Sequence, residues 1–172
     1  MTRFEPFGPF KMPVDGVIID KKKESKLWEE VEGKRPGLSN AIGCYVFGIR
    51  AGKGVKPWYV GKAEKSSFRK ETLADHKLLK YVLALQNRAR GYLLAKETTG
   101  GRLAKPGKNG SRSIQALEEM LIGTCLLRNS KLLNKNNTKR HKIEVPGYMN
   151  ESPGARSTSA RNLAYLLGTA KI

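Results

Sequence analysis

Histidine is nearly missing from this chain of 172 residues, which has only His76 and His141. A zinc hydrolase built on several imidazoles is thereby excluded. Cysteine is equally scarce: Cys44 and Cys125 both sit inside apolar runs, so neither a disulfide framework nor a cysteine zinc cluster can be assembled. That usage suits a reducing compartment, and a cytoplasmic location is expected. No apolar run approaches the ~20 residues needed to cross a bilayer, so no membrane partner is expected. The opening "MTRFEPFGPFKMPVDG" has no continuous apolar segment of the secretory kind. The phosphate-binding P-loop is absent as well. At Gly107-Lys108 its first glycine would be Arg102 and its Ser/Thr would be Asn109, so the pattern fails twice. There is no nucleophile elbow and no internal repeat.

Acidic residues are also few, 15 Asp+Glu against 33 Lys+Arg, and the net charge is +18. The excess is uneven. Residues 1–49 carry +1, residues 50–112 carry +12, residues 113–127 hold only two glutamates, and residues 128–142 hold six basic groups and no acid. Two cationic segments thus flank an acidic, apolar one, as on a surface built around a site. Polyanions are the natural partner, because each phosphate neutralised releases counterions and adds affinity. DNA is the expected ligand, and charge alone does not separate it from RNA.

At this length one domain with a real core is expected. Residues 1–40 read as an N-terminal extension: "FEPFGPF" is aromatic and irregular, "GVIID" a short strand and "ESKLWEEVE" a short helix. Two strand-like runs follow, Cys44 to Ile49 and Trp58 to Val60, joined by Gly, Lys and Pro that read as turn. "SSFRKETLADHKLLKYVLALQNR" has helical periodicity, with Ser67 as its N-cap and Phe68, Leu79, Val82 and Leu83 on one face. "GYLLAKE" is a third strand, "TTGGRLAKPGKNGSRS" a basic loop, and Ser113 caps the helix "IQALEEMLIGTCLLRN". Residues 137–172 read as a basic loop closed by the short amphipathic helix "ARNLAYLLG". The fold class expected is α+β: a small three-stranded, possibly mixed sheet that opens with a β-hairpin and is flanked by helices.

One residue stands out on helix geometry alone. At 100° per residue from Ile114, Leu117, Leu121, Cys125 and Ile122 form a stripe between about −60° and 80°. Glu118 falls at about 40°, inside that stripe, while Glu119 falls at about 140°, toward solvent. A carboxylate aimed at a core is costly unless it is paired or bound to a cation. A buried Arg–Glu pair and a metal ligand are both open readings at this point.

Tyr45 and Tyr59, taken singly, read as packed strand aromatics with their hydroxyls at the rim. The order of features around them points further. "GCY" (Gly43 to Tyr45), "YVG" (Tyr59 to Gly61), Lys62, Arg69 ten residues after Tyr59, Glu118 on a later helix and Asn134 in the loop beyond it resemble the GIY-YIG endonuclease family. Cys44 and Val60 stand in place of isoleucines, and thirteen residues separate the tyrosines. The resemblance covers residues 41–136 and implies a metal-dependent endonuclease that hydrolyses DNA phosphodiester bonds. It implies Tyr45 as the base that activates water, assisted by Lys62, whose positive charge would make a phenolate more accessible, with Tyr59 orienting the water or phosphate. Arg69 would grip phosphate oxygens with its planar fork, and Glu118 would hold Mg²⁺ or Mn²⁺, which keep most of their water shell. Many members carry a histidine or tyrosine four residues after the arginine; here that position is Leu73, and His76, one turn farther along, is with Asn134 a candidate additional site residue, placed to touch the DNA backbone or cap the site. Lys53, Lys56, Lys105, Lys108, Lys139 and Arg140, in "KGVK", "GRLAKPGKNGSR" and "KNNTKRHK", are the candidate phosphate contacts. A non-catalytic nucleic-acid-binding protein on the same scaffold is the alternative, and an RNA-associated protein with a fortuitous hairpin match is a third reading. Oligomeric state is not written in the sequence.

Overall fold

A computed structural model of the chain describes residues 2–15, 18–52, 54–73, 88–133, 155 and 157–159. Lys53, His76, Leu79, Val82, Leu83, Asn134, Lys139, Arg140 and the segment "ARNLAYLLG" lie outside the described residues. The chain divides into two compact units, Met1–Asn134 and Lys135–Ile172, and the elements below belong to the first.

Strand formation begins earlier than the sequence suggests. Phe4–Lys11, expected to be irregular, is strand β1. Short strands β2 (Val14–Asp15) and β3 (Ile18–Ile19) pair with each other as a small ribbon. The hairpin consists of β4 (Gly43–Ala51) and β5 (Gly54–Ala63), and β6 is Ala89–Lys96. The main sheet has four strands, in the order β1-β6-β4-β5, and every pairing is antiparallel. The fold is therefore α+β with a fourth strand contributed by residues 1–40, and that strand makes the segment part of the sheet instead of an appendage to it. Pro6 and Pro9 are tolerated because β1 is an edge strand, where an N–H facing away from the neighbour is not needed. Lys56 and Pro57 belong to β5, not to the turn, so the hairpin is longer than "CYVFGI" and "WYV" implied.

Three helices are described, together with a short 3-10 turn at Leu38–Asn40. Helix α1 (Lys21–Lys34) starts at Asp20, whose carboxylate accepts the backbone N–H groups of Lys22 (2.9 Å) and Lys23 (3.2 Å). Its apolar face, Leu27, Trp28 and Val31, is buried. Helix α2 is described over Phe68–Glu71 and follows Ser67, which stands at the N-cap without a side-chain hydrogen bond to the helix. Helix α3 (Arg112–Arg128) starts two residues earlier than expected, with Ser111 instead of Ser113 at its N-cap and no side-chain hydrogen bond from that serine to the helix. No helix among the described residues is long and apolar enough to cross a membrane.

Strand alternation sorts the core into two layers. Tyr45, Phe47 and Leu93 point to one face, where they pack with Phe10, Leu27, Trp28, Val31 and Phe68 from β1, α1 and α2. Cys44, Val46, Val60 and Leu94 point to the other, where α3 covers them with Ile114, Leu121, Ile122 and Cys125. The Cys44 thiol donates to the Ile114 carbonyl at 3.3 Å, and burial pushes its pKa up to about 12, so it behaves as a core group. At the far edge, Arg35 after α1 joins Glu5 of β1 to Glu97 (2.6 Å) and to the Gly101 carbonyl (2.6 Å), and so fastens the outermost strand.

Candidate active site

The local geometry starts with two glycines. In the β4–β5 register, Tyr45 lies opposite Gly61, and the tyrosine ring covers that glycine. A methyl carbon added at Gly61 would come within 2.6 Å of Tyr45 Cε2 and would overlap Cζ and the hydroxyl. At Gly43 an added carbon would overlap the Leu94 carbonyl and sit 2.9 Å from Phe68 Cζ. The first glycine of "GCY" therefore lets β6 and α2 approach, and the last of "YVG" makes room for the ring of Tyr45. Aromatic packing fixes the rest: Tyr45 and Tyr59 stack at a centroid distance of 6.1 Å, and Phe47 lies 5.0 Å from Tyr45. The ladder shifts register between Phe47 and Gly48, at the level of Trp58, a bulge of the kind that re-aims a strand side chain.

Because β5 is the outer strand on this side, groups from both faces of the sheet meet around its edge. They enclose an open cleft of about 310 Å³. Tyr59 and Gly61 come from the tyrosine face, Lys62 and Glu64 from the helix face, and Lys65 and Ser66 from the turn after β5; Glu71 of α2 and Glu118 of α3 complete the lining. Lys62 Nζ is 3.1 Å from Glu118 Oε2 and 3.7 Å from Glu64 Oε1. The Glu118 side chain is only 14% exposed. Glu64 Oε2 also accepts the Ser111 backbone N–H (2.9 Å) and the Gln115 amide (3.2 Å), and the Glu71 carboxylate accepts the Ser66 hydroxyl at 2.5 Å.

Burial and charge set the ionisation of these groups. Tyr45 is 1% exposed, and its hydroxyl makes no hydrogen bond of ordinary geometry, although the Tyr59 hydroxyl is near enough to act on it. Burial, then Tyr59, Glu71 and Glu118, push the Tyr45 phenol far above its usual pKa. Burial raises Tyr59 too, and Glu118 and Glu71 add to the rise against a lowering by Tyr45. The expected easing of Tyr45 ionisation by Lys62 is not met. The ammonium faces Glu118 and Glu64, and the charges acting on the phenol are carboxylates. Burial by itself would lower the pKa of Lys62, but the hydrogen bond and charge of Glu118, with Glu64, outweigh it and raise the pKa above the ordinary lysine value. Burial works to raise Glu64, and its bonds from Ser111 and Gln115 with the charge of Lys62 more than reverse this, leaving it below the usual carboxylate value.

Of the residues singled out in the sequence, Tyr59, Lys62 and Glu118 line one cleft, and Tyr45 stacks against Tyr59 just behind it. Arg69 does not join the lining: it is exposed on α2, and its charge acts on Glu32 of α1. Lys56, Lys105 and Lys108 are exposed, on β5 and in the loop before α3. Glu64, Glu71, Lys65 and Ser66 were missed. Glu64 carried a usable signal, since a strand through Lys62 puts residue 64 on the same face at a period of two. Glu71 carried none, because it becomes a cleft residue only through the way α2 docks.

A divalent ion has a compatible but sparse donor set. Among the described residues no three His, Cys, Asp or Glu side chains gather in a metal-holding group. Glu118 offers hard carboxylate oxygens in a cleft wide enough for a hydrated ion, which is the mode of Mg²⁺ and Mn²⁺ sites that keep their water. No family model matches the chain, and neither a curated protein nor a solved structure is detectably similar to it.

Proposed function

We propose that this chain is a metal-dependent endonuclease of the GIY-YIG type, hydrolysing DNA phosphodiester bonds in the cleft along β5. The observation that carries the reading is the meeting of Tyr59, Lys62 and Glu118 in one open cleft on a chain of net charge +18. Lys62 and Lys65 bind the phosphate oxygens of the scissile link. Tyr59 holds the attacking water by hydrogen bonding. With both phenols raised by burial, neither is a phenolate at neutral pH, so Tyr45 supports Tyr59 by stacking, and Glu71 takes the proton that the water loses. Glu118 is the residue that would hold Mg²⁺ or Mn²⁺; when bound, such an ion stabilises the charge on the phosphate and on the departing oxygen. The exposed Lys56, Lys105 and Lys108 contact the flanking backbone.

Nicking of supercoiled plasmid in the presence of Mg²⁺ or Mn²⁺ is the test. Wild type is expected to nick, and Glu118→Gln to nick at least ~100-fold more slowly. No nicking by wild type, or equal nicking by the variant, refutes the enzyme. The position of Arg69 away from the cleft and the buried Tyr45 hydroxyl favour a second reading, a nucleic-acid-binding protein without catalysis. It is distinguished by plasmid retardation without strand breakage.

A further inference from the structure

We propose that Lys62 is a displaceable counter-cation of Glu118, so that loading of a divalent ion on Glu118 and binding of phosphate by Lys62 promote each other. The inference rests on the nuclease reading of the cleft and names how that site is regulated.

The ammonium of Lys62 stands 3.1 Å from Glu118 Oε2. Among the described residues Glu118 has no other ion pair or hydrogen bond. Glu64 is different: its carboxylate is tied to the Ser111 backbone N–H and to Gln115, which fixes it at the start of α3. The pair Lys62–Glu118 therefore joins β5 to α3 through two side chains that can separate while Glu64 stays in place.

With no ligand bound, each member of the pair cancels the charge that the other would offer. A divalent ion approaching Glu118 meets the ammonium, and a phosphate approaching Lys62 meets the carboxylate. When both arrive, one internal pair is exchanged for two external ones, ammonium with phosphate and carboxylate with metal. Each ligand removes the group that opposes the other, so the coupling is positive and, by linkage, equal in both directions. A chain so built holds little metal until a phosphate backbone occupies the cleft.

The test is Mn²⁺ binding by the full chain, read by electron paramagnetic resonance without recourse to cleavage. Lys62→Met should bind Mn²⁺ about five-fold more tightly than wild type, the scale of a partly exposed ion pair. Lys62→Gln should do the same, and it serves if the methionine variant fails to fold. Lys62→Arg, which keeps a cation, should show no gain, and adding Glu118→Gln to Lys62→Met should abolish it. A short oligothymidylate, after correction for its own Mn²⁺ binding, should tighten the wild-type site by a similar factor and leave Lys62→Met unchanged. The proposal is overturned if removing the lysine charge brings no gain, if the gain survives Glu118→Gln, or if the oligonucleotide acts equally on both proteins. A chain that shows the gain without nicking plasmid keeps this exchange and loses the nuclease reading. A chain that nicks without the gain does the reverse.

Discussion

Replacing Gly61 by alanine adds one methyl group at the most crowded point of the hairpin. Its carbon would stand 2.6 Å from Tyr45 Cε2 and nearer still to Cζ and the hydroxyl, well inside the ~3.5 Å at which carbon contacts are favourable. The ring has little room to yield, since Tyr45 is 1% exposed and is held by Phe47 and Tyr59. Overpacking of a filled core typically costs about 1–3 kcal/mol, and a rigid aromatic neighbour places this case in the upper half, about 2–3 kcal/mol. For a domain of this size that lowers Tm by roughly 4–10 °C. The assay is a thermal melt followed by circular dichroism on four proteins: wild type, Gly61→Ala, Tyr45→Leu and the double variant. Tyr45→Leu destabilises by itself, but it leaves space for the methyl group, so the two effects should fall short of additivity by about 1 kcal/mol or more. A Gly61→Ala protein that melts with wild type, or a strictly additive cycle, would refute the account of why this motif ends in glycine.

Three other outcomes are expected. Tyr45→Phe removes a buried hydroxyl with no good partner but keeps the ring that stacks on Tyr59, so stability should hold or rise by up to about 1 kcal/mol and plasmid nicking should be retained; a large drop in Tm would show that the hydroxyl is satisfied, and a large loss of nicking would show that it acts in the chemistry. Acid should destabilise the fold. In Glu32, burial is outweighed by bonds from Ser39 and Gly37; Glu64 is held low in the same way by Ser111 and Gln115, and Glu97 is lowered by Arg35. These groups are depressed in the folded state, so their stabilisation is present above the unfolded carboxylate pKa and is lost as pH falls through the folded values. Melts from about pH 6 downward should show Tm falling below about pH 4.5, with a shallower fall in Glu64→Gln. Native-state hydrogen exchange should find the amides that join β1 to β6 less protected than those joining β4 to β5; equal protection would contradict a β1 that docks late and opens first.

The hairpin, the third strand and the α3 helix were legible in the sequence because each has its own local pattern: alternation for the strands and an apolar stripe for the helix. Glu118 was legible for the same reason, as a charge that interrupts a stripe. Strand β1 was not, because Pro6 and Pro9 argue against a strand unless it is known to lie at an edge, and that depends on pairing with residues near position 93. The extent of β5 was hidden in the same way by Lys56 and Pro57. Arg69 shows the limit of spacing: ten residues after Tyr59 fixes its place on α2 but not which side of that helix faces the cleft. Glu64 and Glu71 complete the site through tertiary docking, which no single window of sequence reports.

The position of β1 bears on the order in which the sheet is assembled. Ala51 pairs with Gly54 across a tight turn, whereas Phe4 pairs with Lys96. Loop-closure entropy favours the first contact and delays the second, so the hairpin can nucleate while β1 waits for nearly the whole domain to be in place. Arg35 is suited to secure such a latecomer, because it binds Glu5 on one side and Glu97 with the Gly101 carbonyl on the other. Until that clasp closes, β6 presents a bare edge with Leu93 and Leu94 on it, the kind of surface on which chains pair with one another. Strand β1 is thus expected to join the sheet after the hairpin, and it caps an edge that would otherwise invite aggregation.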